Sequence, residues 1–199
     1  AGILDKVANV LPHSFQVAGP RDIAPVLSAI ADEIERRQKS PGASGPAIYL
    51  FVYDLQRFRD LRKTDDDFSF SRRSEDKAPS PAKQFVTILK EGPNVRVHTI
   101  IWCDSLNNLN RTFERQMIRE FDMRVLFQMS PGDSSTLIDS PIAGKLGIHR
   151  ALFYSEEQGA AEKFRPYGLP TDDWLAWVRD QLNSRVPTAA VSNSPRLTE

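Results

Sequence analysis

The stretch Gly45–Arg62, GPAIYLFVYDLQRFRDLR, decides how this chain folds. Ile48–Val52 is an unbroken apolar run, with Gly45-Pro46 before it and Asp54 after it. A short run rich in β-branched and aromatic residues reads as a buried strand. Because it is apolar at every position, it predicts a central strand with helices over both faces. Asp54 then stands just past the strand's C-terminal end, where open α/β sheets place their ligands. Three arginines follow it, Arg57, Arg59 and Arg62.

Upstream, Ser14–Gly19 is a short strand candidate between Pro12 and Pro20. Arg21–Gln38 predicts a helix, with Ile23, Val26, Leu27, Ile30 and Ile34 on one face. Its basic end (Arg36, Arg37, Lys39) suits the negative pole of the helix dipole. Lys39–Pro46 is a turn-rich connector.

Downstream, Arg62–Ala82 is charged, rich in Ser and Pro and poor in aliphatic residues, which predicts a long mobile loop. Asp65–Asp67 within it reads as a solvated acidic run. Pro81 suits the first turn of a helix over Ala82–Lys90, stopped by Gly92-Pro93. Val95–Cys103 is a second buried strand, Asn107–Phe121 a helix, and Met123–Met129 a third strand. Asp133–Asp139 begins a short helix capped by Asp133 or Ser130. His149–Tyr154 and Ala161–Tyr167 are extended, and Asp172–Asn183 is a final amphipathic helix. Residues 1–183 are thus expected to form one domain and residues 184–199 a disordered tail.

Strands alternating with helices predict an α/β layer fold with a mostly parallel sheet and helices on both faces. The residues to watch follow the strands: Asp54 to Arg57, Asp104 and Ser105, and Ser130 to Ser134.

Composition narrows the classes. With 26 basic and 26 acidic residues the net charge is zero, so nucleic-acid binding would need a local basic patch. Cys103 is the single cysteine, which excludes an internal disulfide and a cysteine-built zinc site and points to a reducing, cytoplasmic compartment. No apolar run has the length of a membrane span, and no signal peptide opens the chain. The first residue is Ala rather than Met, so a segment of a longer protein is expected.

Three blocks together resemble the FtsK/SpoIIIE family of DNA-translocating motor ATPases. LPHSFQVAGPRDIAPVLSAIADEIERR resembles the family's segment after the phosphate loop, where a Pro-His pair leads into a strand and a helix ends in an acid and two arginines. ILKEGPNVRVHTIIWCDSL resembles its helix, glycine turn, His-led strand and polar sensor motif. DMRVLFQMSPGDSSTLIDSPIAGKLG resembles a block in which an arginine opens a strand and an Asp-Ser pair opens a helix. The blocks run in family order from about Leu11 to Tyr154.

The resemblance implies part of a RecA-like three-layer sandwich, with ATP and magnesium as cofactors. It implies as partners other subunits of the same ring, duplex DNA and the upstream portion of the same polypeptide, with membrane tethering through an N-terminal region as an added option. By the family's pattern Asp54 is the catalytic and metal-orienting acid, Asp104 with Ser105 holds the phosphate-sensing position, and Arg124 serves a neighbour's nucleotide.

The departures are specific. No G-x-x-x-x-G-K-[ST] occurs, so the loop whose N–H groups and lysine cradle phosphates would lie upstream. The family's Asp-Glu pair becomes Asp54-Leu55 or, if the register is set by Phe58–Leu61, Gln56-Arg57, which makes Gln56 the cofactor-side residue. Asp104 replaces the family's sensor Gln, and a carboxylate facing phosphate is unfavourable without a metal. Hydrolysis therefore stays an open choice between a motor and a non-hydrolysing assembly or regulatory module. Simpler readings stand beside these: Asp54 as a surface acid paired with Arg57 or Arg59, Asp104 as a helix cap, and Arg124 in a salt bridge with Asp122 or Glu120.

Residues 1–199 alone should not bind ATP tightly, because the main cradle of N–H donors for the triphosphate is lacking. Calorimetry should detect no micromolar binding, and a micromolar site would place a phosphate-binding loop inside this sequence.

Overall fold

The computed structural model describes residues 2–40, 45–63 and 79–185. The chain divides into two compact units, residues 1–17 with 167–199, and residues 18–166. In the first, helix α1 (Ile3–Val10) packs with helix α7 (Asp172–Arg185), the Lys6 ammonium lies 2.9 Å from the Asp172 carboxylate, and Leu175 is buried. The sequence reading had not marked α1 as a helix.

The second unit carries the expected elements. Helix α2 (Ile23–Lys39) and helix α3 (Pro81–Glu91) pack together, and Ser80 caps α3 by accepting from the Lys83 N–H. Strands β1 (Ile48–Val52) and β2 (Val97–Ile101) pair in parallel, Ile48 beside Val97 and Val52 beside Ile101. Helices α4 (Leu106–Thr112) and α5 (Arg115–Ile118) lead to strand β3 (Met123–Leu126), and helix α6 (Pro131–Ile138) follows. Strands β4 (Ala151–Ser155) and β5 (Ala160–Phe164) complete the order.

Four expectations are corrected. First, the described strands do not form a mostly parallel sheet: β1 and β2 are one parallel pair, and β3-β4-β5 is a separate antiparallel sheet. The turn Glu156–Gly159 explains β4-β5, because a tight hairpin can only join antiparallel strands. Gly159 adopts φ +59 there, a left-handed conformation that glycine reaches without steric cost. Second, among the described residues β1 is covered on one face only. Leu50 and Val52 are buried, whereas Tyr49 and Phe51 are exposed. Third, the helix expected over Asn107–Phe121 is broken. Phe113 turns extended and enters the core with ring centroids 5.7 Å from Phe85 and 5.6 Å from Phe121. Fourth, Ser14–Gly19 forms no strand. Most of the expected loop over 62–82 and all but the start of the expected tail lie outside the described residues.

The main core joins Leu27 and Ile34 of α2, Phe85 and Ile88 of α3, Val52, Val97, Leu55, Leu61 and Phe113. A second cluster packs α6 under β3 and β4 through Leu126, Ile138, Ala143, Leu146 and Leu152. Gly92 is required where α3 meets β2, since a Cβ there would lie 2.6 Å from the Val97 carbonyl oxygen.

Arg37 ties the first core together. Its side chain is 4% exposed. Its guanidinium donates to Glu33 at 2.7 Å, to the Val95 carbonyl at 2.9 Å and to the Pro46 carbonyl at 2.9 Å. One cation therefore fixes the end of α2 to the entrances of both parallel strands. Hydrogen bonds from Arg36 and Arg37 hold the Glu33 carboxyl well down, at about 2 against a usual 4.5.

Arg37→Ala should cost about 2–4 kcal/mol, because it strands two carbonyls that Arg37 now satisfies and leaves Glu33 to Arg36 alone. The depressed Glu33 carboxyl contributes stability that is present above about pH 4.5 and is lost as pH falls toward 2. Urea unfolding from pH 7 to pH 2 should show that acid loss in the native chain and a smaller one in Glu33→Gln.

Candidate functional site

Parallel pairing places the C-terminal ends of β1 and β2 side by side. The Leu55 N–H donates to the Trp102 carbonyl at 3.1 Å, and the Trp102 N–H donates to the Val52 carbonyl at 2.9 Å. The chain leaves both strands at this end, so Asp54–Arg57 and Cys103–Ser105 are the segments found there. The sequence had marked Asp54 to Arg57, Asp104 and Ser105.

Asp54 has φ +61, a left-handed turn that Asp tolerates better than most residues. The turn buries Leu55 completely and starts the short helix Leu55–Arg57. One Asp54 carboxylate oxygen accepts from the Gln56 amide at 3.2 Å, and the other lies 3.9 Å from an Arg57 nitrogen. The opposite atom of the Gln56 amide, its oxygen, is buried without a hydrogen-bond partner. Flipping that amide would set oxygen against carboxylate, so the orientation follows from charge. Arg62 donates to the Gln56 carbonyl at 2.9 Å and closes the loop.

Asp104 is exposed and accepts from the Asn108 side chain at 2.8 Å and from the Ser105 hydroxyl at 3.1 Å. The Asn108 bond, then the Ser105 bond, keeps its carboxyl below the usual range, so it is charged at neutral pH. The cap of α4 is Ser105, whose hydroxyl accepts from the Asn108 N–H. This corrects the reading of Asp104 as the cap. At α6 the choice between Ser130 and Asp133 falls to Ser130.

Arg124 lies elsewhere, at the start of β3. Its side chain is 10% exposed. One guanidinium nitrogen lies 2.7 Å from the Glu156 carboxylate and 2.7 Å from the Leu137 carbonyl, and the group sits 5.5 Å over the Tyr154 ring. Its other two nitrogens are buried without partners. The salt-bridge partner is Glu156, not the Asp122 or Glu120 that proximity in sequence suggests. Among the described residues no hydrogen bond or ion pair joins Arg124 to Asp54, Gln56, Asp104 or Ser105.

Asp54 and Gln56 supply hard oxygen atoms, the right chemistry for magnesium. Both Asp54 oxygens are engaged, however, one of them near the Arg57 cation, which opposes a metal. No group of three or more His, Cys, Asp or Glu side chains able to hold a metal occurs among the described residues. These residues do not by themselves fit a magnesium ion.

The sequence reading missed what covers, or fails to cover, the sheet. Tyr49, Phe51, Tyr53, Ile100 and Trp102 form one apolar face, each between 42% and 60% exposed. Tyr49 stacks on His98 and Tyr53 on Trp102, with ring centroids 5.4 and 5.0 Å apart.

No protein-family profile matches the chain, and no curated protein matches it. Among solved structures, the chain is similar to the pCW3 conjugation coupling protein TcpA in its monomer form with ATPγS. The TM-score is 0.58 at 12% identity, over 84% of this chain and 49% of that one. The likeness is one of fold, and the chain spans about half the length of that relative. Among the described residues no helix is long and apolar enough to cross a membrane.

If Arg124 is held chiefly by Glu156, Glu156→Gln should destabilise by about 1–3 kcal/mol, since it leaves a buried cation without a counter-charge. Arg124→Met should cost less, because it removes the buried charge itself and leaves only the Glu156 carboxylate, which is 44% exposed and can turn to water. Urea midpoints of the two variants check the order.

Proposed function

We propose that the chain is the C-terminal part of an ATP-binding motor domain of FtsK/SpoIIIE type, which works in ring assemblies on duplex DNA. The observation that carries this reading is the position of two acids, Asp54 and Asp104, beyond the C-terminal ends of adjacent parallel strands. That is where α/β sheets bind ligands, and the fold is similar to that of a coupling protein solved with ATPγS. In this reading the phosphate loop belongs to polypeptide outside residues 1–199. Asp54, positioned by Gln56, and Asp104, positioned by Ser105 and Asn108, line the nucleotide's phosphate side. Arg124 faces the neighbouring subunit, where its guanidinium would stabilise charge once released from Glu156.

A second reading is a non-hydrolysing relative that serves assembly or regulation. Leu55 favours it. It follows Asp54 where the family's water-activating acid stands, and it is fully buried in the core.

The test uses the complete gene product, with ATP binding followed by calorimetry and hydrolysis measured with and without duplex DNA. DNA-stimulated hydrolysis supports the motor, whereas ATP binding with ring assembly but no turnover supports the second reading. Ring assembly without ATP binding overturns the motor and leaves the second reading, and the absence of both overturns both. For the residue roles, Asp54→Asn is preferred to Ala because Asn keeps the left-handed turn. If hydrolysis occurs, Asp54→Asn and Arg124→Ala should each lower it, and mixing the two variants should restore part of it. No recovery in assembled mixed rings leaves Arg124 as a partner of Glu156 within its own subunit.

A further inference from the structure

We propose that Glu156 is a plug: its carboxylate occupies a phosphate-class oxyanion site built by Arg124 with Arg115 and Arg119 at the rim. An incoming anion must displace Glu156 before Arg124 can serve it, so the ion pair is an inbuilt competitor and not a fixed strut. That the anion belongs to a neighbouring subunit's nucleotide rests on the motor-domain reading, whereas the plugged site itself does not.

The guanidinium comes first. The Arg124 side chain is nine-tenths buried, yet the chain uses only one of its three nitrogens. That nitrogen meets the Leu137 carbonyl and the Glu156 carboxylate, both at 2.7 Å. Nε and the other terminal nitrogen are buried without partners. Buried donors left unmet are costly, so this group is built for more acceptors than the chain gives it. A guanidinium offers its donors as a planar fork, which matches the oxygen atoms of an oxyanion two at a time.

The surroundings come next. Arg124 opens onto a small pocket lined also by Arg115, Arg119, Thr136, Asp139 and Glu156. Arg115 opens α5 and Arg119 follows its last residue, four positions on, so both lie on one side of it. Both are exposed, and among the described residues neither side chain has a hydrogen bond or an ion pair. Three cations therefore face two carboxylates. The excess is positive with Glu156 in place, and it doubles when Glu156 leaves. Several arginines around one small pocket suit the charge of a phosphate better than that of a single carboxylate.

Glu156 is placed to leave. Its side chain is 44% exposed, against 10% for Arg124. Its backbone is fixed independently of its carboxylate. The Glu156 N–H donates to the Asp122 carbonyl at 2.8 Å, and the Glu157 N–H donates to the Asp122 carboxylate at 2.7 Å. The turn therefore stays put when the Glu156 side chain rotates into water. Arg124 stays put as well, held by the Leu137 carbonyl and by the Tyr154 ring 5.5 Å away. One side-chain rotation exchanges the internal carboxylate for an external anion. Because the plug is tethered, its effective concentration is high, and a free anion competes poorly until the plug is removed.

The experiment follows thermal melting of residues 1–199 in inorganic phosphate, with chloride at equal ionic strength as the reference. An anion that binds the folded chain raises its melting temperature, and the dependence on concentration gives Kd. Glu156→Gln should bind phosphate at least about tenfold more tightly than the native chain. That gain should vanish when Arg124→Met is added, and shrink when Arg115→Gln and Arg119→Gln are added instead. Glu156→Asp draws the carboxylate back by one methylene and should give a smaller gain, which keeps the test open if Glu156→Gln does not fold. Equal phosphate affinity in the native chain and both Glu156 variants overturns the plug. A gain that survives Arg124→Met overturns the site, and acetate bound as tightly as phosphate overturns the phosphate class. Phosphate capture without ATP binding by the complete gene product upholds the site and overturns the motor reading, and ATP binding without phosphate capture does the reverse.

Discussion

The buried guanidinium of Arg37 is the interaction on which the main unit depends. A planar cation with five donors can satisfy groups from several elements at once, which no apolar side chain can do. Arg37 bonds Glu33 on its own helix and the carbonyls just before β1 and β2. The connector before β1 approaches it closely, and a Cβ on Gly45 would lie 3.0 Å from the guanidinium. Helix position and strand register are therefore set together. Once register is set, Leu50, Val52 and Val97 point into the core, and Tyr49, Phe51 and Trp102 must point away from it.

That division shapes the rest of the unit. One side of the parallel pair is a packed α/β layer, and the other is aromatic surface. Burying such surface is favourable by about 25 cal/mol per Å², so five exposed side chains in register are a large driving force for association. The stacked pairs Tyr49–His98 and Tyr53–Trp102 already withdraw part of their ring faces from water. The antiparallel sheet shows the same asymmetry, with Leu126 and Leu152 under α6 and Met123 and Val125 outside.

At the strand ends, electrostatics limit the chemistry. Each acid is engaged by its own neighbours, Asp54 by Gln56 and Arg57, Asp104 by Asn108 and Ser105. These partners stabilise the charged carboxylates and compete with a metal for the same oxygen atoms. Arg124 is likewise held within its chain, by Glu156, Leu137 and Tyr154. Either group would take part in nucleotide chemistry only by exchanging these partners for new ones.

The elements were legible in the sequence because their signals are local. The spacing of Ile23, Leu27 and Ile34 marks α2, Pro81 starts α3, and the apolar runs mark β1 to β4. Asp54, Asp104 and Ser105 were also legible, because a residue just past a strand keeps that place whatever the tertiary fold. Pairing was not legible. Whether β4 runs parallel or antiparallel to β3 depends on contacts between residues far apart in the chain. A run that is apolar throughout, such as IYLFV, does not say which face is covered, since that depends on what packs against it. The partner of Arg124 was hidden for the same reason: Glu156 is brought beside it by the antiparallel register, not by sequence proximity. The sequence by itself determined α2, α3, α6, α7, the five strands and the acids just past β1 and β2, through short-range periodicity and capping, but not α1 or the break between α4 and α5. Only the tertiary structure decided strand direction, the exposed face and the salt-bridge partners, because each depends on non-local contacts that close when the sheets form.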